Sequence, residues 1–452
     1  DISERKAAMA RMDRLATHDS LTGLPTRQWL IERLNQTIAS CQLHGTQAGL
    51  VLVDLDQFKA INDSLGHAVG DLLLQQVAQR LQEISGDVAT VARMGGDEFA
   101  VLIGECDEVG VVTEAMSQEV LRGISRPYPL AGQETRITAC IGVVVFDGSD
   151  QNPEALLREA NIALFHAKQE GRETCRFHEA WMQASYVRGA LLEADLRRAL
   201  EQGQFELHYQ PQVDRDRKLV AAEALLRWRH PERGLVGPVE YIPLAEESGL
   251  IVPIGRWVLE TACAQLALWR DSCPTLSVGV NLSARQFSSP GFVESLCEML
   301  QRHALRPGQL SLELTESLLL DANDETLLKM NTLRELGVLF AMDDFGTGYS
   351  SLAYLTQLPL SQLKIDQSFV RQIGLRQADE LIIRTIIGMA ADMNLEVVAE
   401  GVETEAQFEF LRTQGCQLYQ GYLFGWPRPP ESFERTMARN AKKPLTPKGG
   451  GA

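Results

Sequence analysis

The sequence predicts two α/β domains in tandem: a mixed domain with an antiparallel element, then a repetitive β-α domain of barrel type. Three observations predict it. The chain has 452 residues, more than one ordinary domain holds. Between about residues 20 and 175, strand-like and helix-like stretches mix, with a hairpin at the Gly95-Gly96 of "VARMGGDEFAVLI". From Phe205 onward, short apolar strands alternate with helices, the pattern of a (β/α) barrel.

Taken in order, "DISERKAAMARMDRLATHD" reads as a charged helix leading into the first domain, and residues 1–18 are assigned to it. The first domain is set at 19–176. In it, "AGLVLVDLD" and "TACIGVVVF" read as strands and "EALLREANIALFHAKQEG" as a helix. "DLLLQQVAQRLQEIS" is amphipathic, with Leu73, Val77, Leu81 and Ile84 on one face. Residues 177–204 contain no Pro and no long Gly/Ser run, which predicts a semi-rigid helical joint. The second domain is set at 205–438, with strands in "VGVNLS", "LSLELTE", "LFAMDDFG", "QLKID", "EVVAEGVE" and "QLYQGYLFG". Polar residues fall where these strands end: Asn281, Glu313, Asp343, Asp344, Lys364, Glu400 and Gln420. The C-terminal strand ends of such a barrel form one rim, so distant residues converge on one pocket. Residues 439–452 read as a disordered tail.

The formal net charge of -17 argues against a nucleic-acid scaffold, whose affinity needs Lys and Arg against phosphate. Small anions held with a cation remain open to it, and a carboxylate-rich chain can hold divalent metals. The eight cysteines are scattered with no CxxC pair, which reads as reduced thiols. No apolar run approaches a membrane span and no signal peptide is seen. The chain opens on Asp1 rather than Met, so the expectation is a cytoplasmic portion of a longer protein whose upstream part could carry membrane spans.

In "GGDEF" the glycines permit a tight turn and close approach of phosphates, and Asp97 and Glu98 sit at that turn. "VLVDLD" ends another strand with Asp54. If the strands are neighbours, three carboxylates gather and repel unless a cation joins them. Mg²⁺ held by carboxylates and substrate phosphates fits. "DLDQFKAINDSLGHAVGD", "HDSLTGLPTR" and "AKQEGR" occur around it in order. Together the four motifs resemble the GGDEF family of bacterial diguanylate cyclases, with Thr26 where Asn is usual. The resemblance implies a nucleotidyl-cyclase-like α/β domain with an antiparallel sheet. It implies that Asp54, the carbonyl of Leu55, Asp97 and Glu98 hold Mg²⁺ on GTP, with Asp97 assisting deprotonation of the attacking 3′-hydroxyl. Asn62 and Asp71 would read guanine, Phe58 and Lys59 would shape the phosphate loop, and Lys168 and Arg172 would touch phosphates. On spacing alone, Lys168 and Arg172 read as an exposed helix face. One GTP per domain makes a face-to-face homodimer necessary for cyclic di-GMP. The window of the family's inhibitory RxxD site reads "GDVA", Gly86 to Ala89, so product inhibition there is not expected.

Glu223-Ala224-Leu225 is by itself a common helical tripeptide. Followed in order by "NLSARQF", "LELTES", "DDFGTGYSSL", "LKIDQSFV", "VVAEGVET" and "QGYLFG", it resembles the EAL family of cyclic di-GMP phosphodiesterases over about 205–438. The fold implied is a (β/α)8-type TIM barrel. Glu223, Asn281, Glu313 and Asp343 would ligate one divalent ion. Asp343, Asp344 and Glu400 would serve a second, both ions being Mg²⁺ or Mn²⁺. Lys364 would hold the water or developing charge, Glu400 would act as base, and Gln420 lies near the same network. Arg227 would contact a substrate phosphate, and Glu316 would anchor the loop after the Asp pair. The "DFG" within that loop is no kinase signature, since no VAIK or HRD element accompanies it. Glutamates inside the apolar strands "LSLELTE" and "EVVAEGVE" need a partner for their charge, and a metal supplies one.

Three functions follow. The first is a bifunctional enzyme that makes cyclic di-GMP from GTP and hydrolyses it to pGpG. The second is a phosphodiesterase alone, with the GGDEF domain an allosteric GTP-binding module. The third is a catalytically silent cyclic di-GMP receptor, which predicts missing metal ligands, and none is missing. The opening helix resembles the link after a PAS sensor domain, which implies an upstream sensor, and family resemblance implies control of motility and biofilm.

Overall fold

A computed structural model describes residues 17–106, 108–130, 132–149, 152–171, 173–315, 324–346 and 355–440. Most of the opening helix, Arg172, Glu316, the segment 347–354 and the tail from 441 lie outside the described residues. The chain divides into two compact units at Ala190/Leu191.

In the first unit the central strand is β1 (Ala48–Leu55), with β2 (Ala89–Gly95) and β3 (Glu98–Ile103) on one side. On the other side lie β6 (Ala139–Phe146) and β7 (Cys175–Phe177). A separate hairpin joins β4 (Tyr128–Leu130) to β5 (Gln133–Thr135). β1 runs antiparallel to both neighbours, and only β6–β7 is parallel. Successive side chains of a strand point to opposite faces. Leu50 and Leu52 therefore pack with Leu30, Leu34 and Leu164 of two helices, Arg27–His44 and Pro153–Gln169. Val51 and Val53 pack on the other face with Leu73, Val77 and Leu81 of His67–Ser85. Asp54 and Glu98 continue the first set of alternating positions at the strand ends, which aims them to the same side as Leu52 and Ala100. The β2–β3 turn is made by Gly95 at φ 136 and Gly96 at φ 56, a region costly to residues with a Cβ.

In the second unit β8 (Phe205–Val213), β9 (Leu219–His230), β11 (Ser277–Leu282), β12 (Leu310–Thr315), β13 (Leu339–Phe345), β14 (Gln362–Ile365), β15 (Glu396–Ala399) and β16 (Leu418–Gln420) close into an eight-stranded barrel. The short β10 (Gly234–Val236) extends β9 outward. The alternation in the sequence shows six of these strands; β8 and β9 are the two it does not show. From β9 through β16 the barrel strands are parallel, but β8 runs antiparallel to β9 and to β16. A parallel pair needs a crossover of a dozen or so residues. The β8–β9 link is a tight turn in which Asp214 Oδ1 accepts from the amides of Asp216 and Lys218, both at 2.9 Å.

By length and composition alone one helix among the described residues, Ile251–Trp269, is apolar enough to cross a membrane, although Arg256 and Glu260 interrupt its apolar run. Ile254, Val258, Ala262, Leu266 and Trp269 form its buried stripe.

Two candidate active sites

In the barrel, Glu223 from β9, Glu313 from β12, Asp343 from β13 and Glu400 just after β15 gather round one ammonium, that of Lys364 on β14. Lys364 Nζ lies 2.6 Å from Glu313 Oε2 and from Glu400 Oε1, 3.3 Å from Asp343 Oδ1 and 3.7 Å from Glu223 Oε2. Lys364 is 1% exposed, so these charges meet in a low dielectric and weigh heavily on one another. Burial opposes the charge on Lys364, yet the four carboxylates hold its pKa well above the ordinary lysine value. Burial pushes Glu313 well above the carboxylate range, helped by Glu223 and Asp343 and opposed by Lys364. Burial likewise pushes Glu400 up to about 8, with Asp343 and Glu223 adding to it. Glu223 is held below its ordinary value: burial opposes its charge, but Lys364 and the amides of Gln420 and Asn281 outweigh it.

The amides fix Glu223 from two sides. Asn281 Nδ2 donates to Oε1 at 2.6 Å and Gln420 Nε2 to Oε2 at 2.5 Å. Asp344 sits at φ 53, a strained setting for a non-glycine residue, and its amide donates to Asp343 Oδ1 at 3.0 Å. Burial, then Asp343 and Asp366, push Asp344 up to about 6. Arg227 lies further along β9 and lines, with Glu223, Glu400 and Gln420, a cleft of about 240 Å³ open to solvent. Its guanidinium donates to the Leu226 carbonyl at 2.8 Å.

No three carboxylate or imidazole groups among the described residues already surround a point fit for a cation, since the carboxylates converge on Lys364 instead. The donor set is nonetheless all oxygen, which suits a hard divalent ion, and Glu313, Glu400 and Asp344, raised by burial and then by neighbouring carboxylates, are acids whose charged form such an ion would favour.

In the first unit, Asp54 and Glu98 are direct cross-strand partners, and the Leu55 amide donates to the Asp97 carbonyl at 3.4 Å. Lys168 Nζ lies 2.7 Å from Asp54 Oδ1, so it belongs to the carboxylate group and is more than an exposed helix face. Burial raises the pKa of Asp54 against the pull of Lys168, and burial with the Asp54 charge raises Glu98. Phe58 is buried in the core below the helix Phe58–Leu65, whose Lys59 is exposed and Asn62 half-buried. Asp71 is exposed on the next helix. Among the described residues Lys59, Asn62 and Asp71 make no hydrogen bond or ion pair to Asp54, Asp97 or Glu98. A Cβ on Gly70 would stand 1.9 Å from Asn62 Oδ1, so only glycine leaves the Asn62 amide its place.

Several supporting residues escape sequence reasoning. Arg93 Nη1 pairs with Asp19 Oδ1 at 2.9 Å, and its Nη2 and Nε hold the Gly96 carbonyl at 2.7 and 3.2 Å. Asp56, 9% exposed, accepts from Thr138 Oγ1 at 2.6 Å and from the Glu173 amide at 3.4 Å. In the barrel a Cβ on Gly279 would lie 2.0 Å from Glu313 Oε1. Gln210 and Gln212 lie buried on β8 beside Gln420. A charged or amide residue inside a strand is the one signal that marks Arg93, Gln210 and Gln212 beforehand.

Comparison with known proteins follows the same division. Residues 193–427 match the EAL domain family and residues 16–174 match the family described as diguanylate cyclase, GGDEF domain. The chain is 43% identical over 437 residues to the bifunctional diguanylate cyclase/cyclic di-GMP phosphodiesterase MucR of Pseudomonas aeruginosa, covering 95% of this chain and 64% of that protein. It is 40% identical over 443 residues to the cyclic di-GMP phosphodiesterase NbdA of the same organism, covering 97% of this chain and 56% of that one. The chain thus spans between half and two thirds of the length of these curated relatives. A solved structure described as PaMucR phosphodiesterase, c-di-GMP complex, is 48% identical, with a TM-score of 0.53, over 54% of this chain and 99% of that one. Two domain matches in tandem, each on the unit that gathers the corresponding acids, lead to one conclusion: the chain belongs to the GGDEF–EAL family of bacterial signalling proteins.

Proposed function

We propose that the chain turns over cyclic di-GMP. Its barrel hydrolyses the dinucleotide to linear pGpG, and its first domain condenses two GTP when two such domains face each other in a homodimer. The functional units are 19–176 and 205–438, joined by 177–204, with a PAS-like sensor upstream in the whole protein. The observation that supports this best is the gathering of Glu223, Glu313, Asp343 and Glu400 on Lys364, beside the cleft that Arg227 lines.

Glu223, Asn281, Glu313 and Asp343, with Asp344 and Glu400, would hold two divalent ions, Mg²⁺ or Mn²⁺. When bound, these supply charge neutralisation at the phosphodiester and a nucleophile at neutral pH. The chain's own residues do the rest. Arg227 orients a phosphate, which converts binding into alignment for in-line attack. Glu400, beside those ions, accepts the proton of the attacking water. Lys364 is placed to balance the developing negative charge. Gln420 keeps Glu223 oriented.

In the first domain Asp54, the Leu55 carbonyl, Asp97 and Glu98 would hold Mg²⁺ with GTP, and Asp97 helps deprotonate the 3′-hydroxyl. Lys168 and Arg172 contact phosphates, Phe58 and Lys59 shape the phosphate loop, and Asn62 and Asp71 read guanine. Phosphoryl transfer asks mainly for positioning and charge neutralisation.

The test is nucleotide turnover by the full chain, with cyclic di-GMP and GTP offered separately in Mg²⁺ and then Mn²⁺. Conversion of cyclic di-GMP to pGpG that is lost in Glu223→Ala and on adding EDTA supports the barrel reading. Cyclic di-GMP left intact by the unmutated protein overturns it. GTP condensation seen in Glu223→Ala and lost with Asp97→Ala added supports the cyclase; GTP that only speeds hydrolysis overturns it.

A further inference from the structure

The glutamines of the reversed strand β8 form a chain of amides that ends on Glu223. Gln212 Nε2 donates to Gln420 Oε1 at 2.7 Å. Gln420 Nε2 donates to Glu223 Oε2 at 2.5 Å and to Gln210 Oε1 at 3.2 Å. Gln210 Nε2 donates in turn to the Gly425 carbonyl at 3.3 Å. All three glutamines are buried, at 7, 3 and 5% exposure for 210, 212 and 420.

The polarity of this chain is forced by chemistry. An ionised carboxylate only accepts hydrogen bonds, so the end of Gln420 facing Glu223 must be its NH₂. The Gln420 oxygen then faces away, into a buried region where an acceptor needs a donor. Gln212 is that donor. Were it absent, the Gln420 amide would gain by rotating its oxygen elsewhere, and an oxygen turned to Glu223 would repel it. Asn281 holds the other oxygen of Glu223, so Gln420 is the hydrogen-bond donor on the second, with the Lys364 ammonium 3.7 Å from it.

We infer that Gln212 is a positioning residue for the barrel site: through Gln420 it sets which end of that amide meets Glu223, and so the orientation of the Glu223 carboxylate toward a divalent cation. The inference rests on the proposed role of Glu223 as a metal ligand. β8 can deliver it because residues 210 and 212 are two apart on one strand and so share a face.

The experiment is a double-mutant cycle on the full chain: unmutated protein, Gln212→Met, Gln420→Met and the double variant. Mn²⁺ affinity is read by calorimetry and folding by thermal melting. Met keeps the volume and removes the amide. Gln212→Met should weaken Mn²⁺ binding about tenfold, the scale on which supports of metal ligands act. The same change should alter affinity less than about twofold once Gln420 is Met, because the only path it acts through is gone. Equal weakening in both backgrounds, or none in either, overturns the inference. If Gln212→Met does not fold, Gln212→Asn, too short to reach Gln420, is put through the same cycle with the same two outcomes. Failure of the unmutated protein to bind Mn²⁺ overturns the metal reading itself, a result distinct from loss of coupling.

Discussion

Lys364 shows what one residue can do when five ionisable groups share one buried place. An ammonium with no partner at 1% exposure would be strongly disfavoured, and so would Glu313. Each is tolerable because the others are there. The strand pattern made Glu313 and Glu400 conspicuous as acids in apolar company, and the motifs made Lys364 a candidate. Gly279 was not conspicuous, because a glycine in a strand has many explanations. Its reason is steric: a methyl there would stand 2.0 Å from Glu313 Oε1. Gly279→Ala should therefore push the Glu313 carboxylate off Lys364. We expect the proposed cyclic di-GMP hydrolysis to fall by about tenfold or more, the scale of a misplaced group at a reacting centre. The thermal midpoint should move much less. Unchanged kcat/KM in steady-state assays would show that Glu313 has another place to go.

At the scale of elements, two supports hold the first site in shape. The β2–β3 hairpin is braced by Arg93, which binds the Gly96 carbonyl and is itself held by Asp19. The pKa of Asp19 lies below its ordinary 3.8: burial works against its charge, while Thr22 and Arg93 outweigh it. A depressed carboxylate stabilises the fold above its unfolded pKa and loses that contribution as pH falls through its folded value. Asp19→Asn should cost about 1 kcal/mol near neutral pH, as a partly exposed ion pair does. The gap to the unmutated protein should close below about pH 3.8. Denaturant titrations across pH measure it, and a constant gap would mean that the pair contributes no charge-dependent stability. The helix Pro153–Gln169 carries Lys168 to Asp54, and its start is fixed by Asn152, whose Oδ1 accepts from the Ala155 amide at 2.8 Å. Asn152→Ala should cost about 1 kcal/mol, as the loss of a helix cap does. Urea unfolding reads it; a loss indistinguishable from zero would mean that Pro153 alone suffices to start the helix.

For the whole molecule, each of the two units has its own fully buried apolar side chains. Val51 lies wholly buried in the first, Phe340 wholly buried in the second. Val51 and Phe340 belong to different units, so the destabilisations of Val51→Ala and Phe340→Ala should add within about 0.5 kcal/mol. Phe340→Ala should be the larger, at about 3–5 kcal/mol for a fully buried aromatic. Calorimetry of the two single variants and the double one tests this, and a clear departure from additivity would show that the two positions are coupled.

The two-domain α/β class and the order of the motifs are legible in the sequence, and it singles out the acids of both candidate sites. Those signals are local: apolar alternation at period two, amphipathic helices at period 3.6, and short motifs that chemistry confines to a few residue types. The tertiary structure alone decided what long-range pairing brings together. β8 had no repeat to announce it and closes the barrel backward, since a five-residue link admits only a hairpin with β9. Only with β8 in that place do Gln210 and Gln212 meet Gln420, two hundred residues away in sequence. Lys168 likewise reads as one more charge on a helix until the helix lies over β1 and sets it on Asp54. Burial and partner, which decide whether a charge or an amide is idle surface or part of a site, are properties of the folded chain and not of its local pattern.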